Sequence, residues 1–209
     1  MAFEEPIVCP LETHLTLAPA SAESLPRAAQ WAAAQGLKWT HILLAEGRHP
    51  SQPMVTFWRS GTLGEQLDQA AAITASLREL DLLAVRVKVE CASADAARYF
   101  ENSLQLAEHP GYFEHHVKLQ LAADAELPAL AELARTHDAR LSANARRQLA
   151  AGAVERFVTQ RAYDAGRAEA AERLAQLIDS LQSAAYPILE VEEEYVLYDS
   201  NLQLDAGWL

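Results

Sequence analysis

Leu11-Glu12-Thr13-His14-Leu15-Thr16-Leu17 alternates apolar and polar residues, and Phe113-Glu114-His115-His116-Val117-Lys118-Leu119 repeats the arrangement. In a β-strand, successive side chains point to opposite faces. Glu12, His14 and Thr16 therefore share one face of a first strand, and Glu114, His116 and Lys118 share one face of a second. The leucines and the valine point the other way. Glu12 and Glu114 are 102 positions apart, as are His14 and His116 (114 − 12 and 116 − 14). A match at constant offset marks a duplication.

The order of elements extends the match. After the first strand come a helix from Ser21 to a Gly36 cap, a strand Lys38–Leu44, and a Gly/Pro loop over 47–53. A strand Met54–Trp58, a helix Leu63–Leu80 and a strand Val85–Glu90 follow. Residues 112–122 then restart the pattern. A helix Ala129–Thr136, a strand Arg140–Asn144 and a strand around Phe157-Val158-Thr159 come next. The half ends with a helix Gly166–Ala184, a strand Ile188–Tyr198 and a tail expected to dock Trp208 and Leu209. Arg140 falls on Lys38 and Ser142 on Thr40 at the same offset of 102 (140 − 38 and 142 − 40).

Each half reads βαββαβ, the split βαβ pattern. The expected fold class is α+β: tandem duplicated ferredoxin-like repeats, each an antiparallel sheet with helices on one face. The first repeat covers 1–91, a linker 92–111, and the second repeat with its C-terminal tail 112–209, together one compact pseudo-symmetric unit. Strand order 4-1-3-2 places the first strand at the centre. Facing Cys9 with Cys91 gives antiparallel partners that sum to 100, so Glu12 is expected opposite Lys88 and His14 opposite Arg86, with the two cysteines close together.

Composition sets limits. The chain has 209 residues, half of them apolar, and a formal charge of −12, which argues against coating duplex nucleic acid. No apolar run reaches the roughly 18 residues of a membrane span. The N-terminus lacks the basic and apolar regions of a signal peptide, and two cysteines make no disulfide framework, so the expected location is the cytoplasm. No Gly-x-Gly-x-x-Gly, Walker lysine loop, Gly-x-Ser-x-Gly or Cys-x-x-Cys occurs. His41 and His115 have the parity of the helix-covered face and read as core histidines.

The polar faces carry the candidate chemistry. His14 and His116 suit acid/base catalysis because imidazole titrates near neutrality, with Glu12 and Glu114 orienting them. Lys38, Arg86, Lys88, Lys118, Arg140 and Arg161 suit anion contacts, with Thr16, Thr40, Ser142 and Thr159 as hydroxyl partners. This reading expects a small anionic, phosphorylated or carboxylated, substrate between two lobes. Two alternatives stand beside it. One is a non-catalytic protein whose charged sheet faces form an intramolecular or dimer interface. The other is a divalent-metal site of Glu12, His14, Glu114 and His116. No cofactor is favoured, divalent metal being the alternative, and a monomer or a homodimer is compatible with the sequence.

His14-Leu15-Thr16-Leu17 resembles the His-apolar-Ser/Thr-apolar motif of the two-histidine phosphoesterase superfamily, which carries two such motifs on strands of a bilobal, duplicated fold. His116-Val117-Lys118-Leu119 departs from the second motif, with Lys118 in place of the hydroxyl residue. The resemblance implies metal-free cleavage of a phosphodiester. One histidine would deprotonate a ribose hydroxyl and the other would protonate the leaving group.

Overall fold

The computed structural model describes residues 10–18, 24–99, 111–122, 124–145 and 153–208. The strands are β1 (Pro10–Leu17), β2 (Lys38–Leu44), β3 (Ser51–Ser60), β4 (Ala84–Ala92), β5 (Tyr112–Ala122), β6 (Ala139–Asn144), β7 (Ala153–Ala162) and β8 (Ile188–Asp199). The helices are α1 (Ser24–Ala34), α2 (Leu63–Arg78), α3 (Ser93–Tyr99), α4 (Leu127–Arg135) and α5 (Arg167–Ser183), with a 3₁₀ turn over Leu202–Asp205.

Two open ferredoxin-like sheets do not form. The strands close into one antiparallel barrel in the order β1-β3-β2-β6-β7-β5-β8-β4. Within each half the order is β4-β1-β3-β2 or β8-β5-β7-β6, but the free edges of the halves are joined. Ile42, Leu43 and Leu44 of β2 pair with Asn144, Ala143 and Ser142 of β6, and β4 pairs with β8 from Lys88↔Asp199 to Ala92↔Glu194. An open sheet leaves a row of unpaired N–H and C=O groups at each edge, and closure removes them.

The expected register is corrected by two residues. Glu12 faces Glu90 and His14 faces Lys88, so partners sum to 102, not 100. The shift is even, so every side chain keeps its face. Cys9 lies outside the described residues, as do Ser21, most of the linker and Leu209.

The two halves share backbone features at matching positions. β1 has a register break at Thr16/Leu17 against β4, and β5 has the matching break at Lys118/Leu119 against β8. The turn after α1 carries Gly36 at φ 70°, the turn after α4 carries Asp138 at 53°, and Asp81 and Ala185 follow α2 and α5 at 58° and 60°. These left-handed residues stop each helix and turn the chain back to the sheet.

The hydrophobic core lies outside the barrel, under the helices. Leu15, Leu17 and Phe57 pack with Ala28 of α1 and with Ala70, Ile73 and Leu77 of α2. Val117, Leu119, Leu141 and Val158 pack with Leu130 of α4 and with Leu174, Leu177 and Leu181 of α5. A third cluster spans the β4–β8 seam, where Leu11, Val89 and Phe113 meet Tyr195, Leu197 and Ala170. The opposite parity of every strand thus points into the barrel. α2 begins with a capping box, in which Thr62 accepts from the Glu65 N–H and the Glu65 carboxylate accepts from the Thr62 N–H. Among the described residues, no helix is long and apolar enough to cross a membrane.

Candidate functional site

The inward face encloses a cavity of about 260 Å³. Its lining includes Glu12, His14, Thr16, Lys38, Thr40, Arg86, Lys88, Glu114, His116, Lys118, Ser142, Thr159 and Arg161. Of the candidate catalytic and anion-contact residues, only Arg140 is not in that lining; its Nε lies 3.5 Å from Glu46 instead. His41 and His115 lie off the cavity as their parity requires. His41 Nε2 is 2.9 Å from Ser51 Oγ, and His115 is buried, with burial pulling its imidazole below the ordinary range.

Two pseudo-symmetric triads dominate. In the first, His14 Nδ1 lies 2.7 Å from Thr56 Oγ1, and Nε2 lies 2.5 Å from Glu90 Oε1 and 3.6 Å from Glu12 Oε1. In the second, His116 Nδ1 lies 2.9 Å from Thr159 Oγ1, and Nε2 lies 3.3 Å from Glu114 Oε1 and 3.4 Å from Glu194 Oε2. Cross-strand pairing makes both: His14↔Thr56 and Glu12↔Glu90 in one half, His116↔Thr159 and Glu114↔Glu194 in the other. In each triad the three possible ligand atoms lie within 4.8 Å of one another.

Lys88 joins the triads. Its Nζ is 2.6 Å from Glu90 Oε2 and donates to Glu114 Oε1 at 2.7 Å. Burial opposes its charge, but Glu114 and Glu90 outweigh it and hold the ammonium well above its ordinary pKa. Glu90 is held down at about 2: burial works the other way, and Lys88 and His14 prevail. His116 is pushed up to about 10, since Glu114 and Glu194 accept from it and overcome the cost of burial. Glu194 itself is raised, by burial and by the nearby Glu90.

The triads differ in one respect that bears on chemistry. Glu90 turns Oε1 to His14 and Oε2 to Lys88. Glu114 presents Oε1 to both His116 and Lys88, and its Oε2 accepts from Arg161 Nε at 2.5 Å. Glu114 is thus shared among three resident cations, whereas Glu90 keeps its histidine-facing oxygen clear of Lys88, and Glu12 Oε1 faces His14 at 3.6 Å with the Lys38 ammonium beside it. The Glu12 carboxylate is 4.0 Å from Lys38, half of which is exposed.

The expected anion contacts are corrected by their partners. Arg86 makes a bidentate pair with Asp199 (2.9 and 2.5 Å) and reaches Asp205 at 2.9 Å. Arg161 is shared by Glu114 and Asp205. Lys118 pairs with Glu190 at 2.7 Å. Arg86 and Arg161 thus neutralise buried carboxylates and Lys118 an exposed one, so most of the expected basic lining is already paired.

Asp199, Asp205, Gln52 and Tyr112 were missed in the sequence. A register break between β4 and β8 at Val89/Glu90 brings Asp199 opposite Lys88. The 3₁₀ turn lowers Asp205 into one end of the barrel, where Gln52 Nε2 donates to it at 2.7 Å. Trp208 follows, its Nε1 donating to the Leu141 carbonyl at 2.9 Å. Only the acidic, aromatic composition of the tail signalled this.

No family model matches the chain, and no curated protein matches it. Among solved structures it is similar to the small subunit of acetolactate synthase from Thermotoga maritima. The identity is 10%, 89% of this chain and 93% of that chain are covered, and the TM-score is 0.30.

Proposed function

We propose that the barrel interior is a metal-dependent small-molecule site, in which Glu12, His14 and Glu90 bind one divalent transition metal. The observation that carries this is the division of labour at Glu90, whose two oxygens serve His14 and Lys88 separately. Lys88 then orients the ligand carboxylate from behind without occupying its metal-facing oxygen, and Thr56 does the same for the imidazole through Nδ1. Ligands about 2.1 Å from a metal stand about 3.0–3.4 Å from one another. The 3.6 Å gap between His14 Nε2 and Glu12 already approaches this, and the 2.5 Å gap to Glu90 has to open by about half an ångström.

One imidazole and two carboxylates leave coordination positions open toward the cavity. A metal so held supplies Lewis-acid polarisation of a substrate oxygen or activation of a water. On the same wall, His116 is raised to about 10 by Glu114 and Glu194 and adds positive charge beside the metal site. Mn²⁺, Fe²⁺, Co²⁺ and Zn²⁺ suit this mixed N/O set.

Isothermal titration of the purified, chelator-treated chain with Co²⁺ or Zn²⁺ tests the reading. One equivalent is expected to bind, with affinity lost by about 10–100-fold or more in H14A and in E90Q, and retained in H116A. Absence of binding, or binding indifferent to H14A, rejects it. A metal-free proton relay is the second reading, favoured by the 2.5 Å contact between His14 and Glu90; it expects no binding of metal at His14.

A further inference from the structure

The cavity has two unlike walls. β1, β4, β5 and β8 are consecutive around the barrel and carry both triads, with Lys88 between them. The facing strands β2, β3 and β7 contribute Ile42, Leu44, Met54 and Phe157, and the tail adds Trp208. None of them belongs to the clusters beneath the helices, though Leu44 and Trp208 are themselves buried. Ile42, Met54 and Phe157 are only half-buried although they point inward. Met54 and Phe157 occupy matching places in the two halves, at the residue two before Thr56 and two before Thr159. Inward positions on a polar barrel that stay apolar in both copies, and stay partly uncovered, are a surface for a ligand.

We infer that the ligand of this site is a small amphiphile, with oxygen donors at one end directed to the triad wall and a compact apolar body seated against Met54, Phe157 and Trp208. The inference rests on the metal reading above and adds the class of molecule. The size follows from the space: about 260 Å³ is below the roughly 300–1,000 Å³ of sites for drug-sized ligands. The apolar end is planar or aromatic by preference, because two aromatic rings and a thioether line its seat.

The experiment uses the full chain loaded with Co²⁺, whose visible absorption changes when its coordination changes. Acetohydroxamate and benzohydroxamate carry the same pair of oxygen donors and differ in the apolar end. Benzohydroxamate is expected to bind about tenfold more tightly or better, and F157S and M54A are each expected to bring that ratio toward one. The two variants probe the same wall independently, so the loss of one to misfolding leaves the other decisive. Equal binding of the two hydroxamates by a Co²⁺-loaded protein overturns the amphiphile inference and leaves the metal site standing. Failure to take up Co²⁺ overturns both.

Discussion

Glu12 and Glu114 are related by the duplication yet sit in different electrostatic surroundings, and one substitution explains most of the difference. Trp58 pairs with Glu12 across β1–β3, and Arg161 pairs with Glu114 across β5–β7. An indole makes no ion pair of its own with Glu12, leaving it to His14 and the half-exposed Lys38, whereas a guanidinium fixes Glu114 in place. W58R is therefore expected to weaken Co²⁺ binding by about tenfold or more, through a new charge-assisted pair at Glu12; titration calorimetry reads this directly. The pKa of His116 makes a second prediction. It is raised from 6.5 to about 10 in the folded chain. Its contribution to stability is therefore complete below pH 6.5 and is lost as pH rises through 10. Urea midpoints should fall across that window in the wild type and much less in H116Q. On the acid side, Glu90, lowered to about 2, stabilises the fold above its ordinary value of 4.5 and ceases to as pH falls toward 2.

Among the elements, the two seams between halves are unequal. Among the described residues, β2–β6 is joined through three residue pairs, with backbone bonds from Ala45 to Leu141 and from Ala145 to His41 extending it. β4–β8 has five pairs and the Leu11–Phe113–Tyr195 cluster over it. Local opening follows the weaker pairing, so hydrogen exchange at 42–45 and 142–145 is expected to be faster than at 88–92 and 194–199 of the β4–β8 seam. Equal protection at both seams would count against this. The 3₁₀ turn acts as a stopper at one end. Asp205 is buried and faces both Arg86 and Arg161. Removing Asp205 takes one partner from each of two buried guanidiniums while Asp199 and Glu114 remain, and D205A is expected to cost about 1.5–3 kcal/mol of unfolding free energy by urea titration. T62A removes only the α2 cap and is expected to cost about 1 kcal/mol.

At the scale of the whole molecule, closure makes each half depend on the other. Each half alone would expose two long edges, β2 and β4 or β6 and β8, and would lack the seam cluster. A single cooperative unfolding transition is expected for the chain, with no such transition for residues 1–92 expressed alone. The alternation of β1 and β5, the constant offset and the helix periodicities determined the element order, the duplication and the parity of each strand, because side-chain alternation is a local property that the backbone imposes. They also placed His14, His116 and Glu12 on inward faces. Three things were decided only by tertiary structure. The first is the closed barrel, because the demand of edge strands for hydrogen-bond partners leaves no mark in the side-chain pattern. The second is the two-residue register of β1 against β4, because even shifts preserve every face. The third is the partnership of the charges: Arg86, Lys88 and Arg161 read as contacts for an anionic ligand until folding brought Glu114, Asp199 and Asp205 against them from 26 to 119 residues away. Burial without a counter-charge is costly, so the fold neutralises its cations with carboxylates brought together only by the tertiary structure.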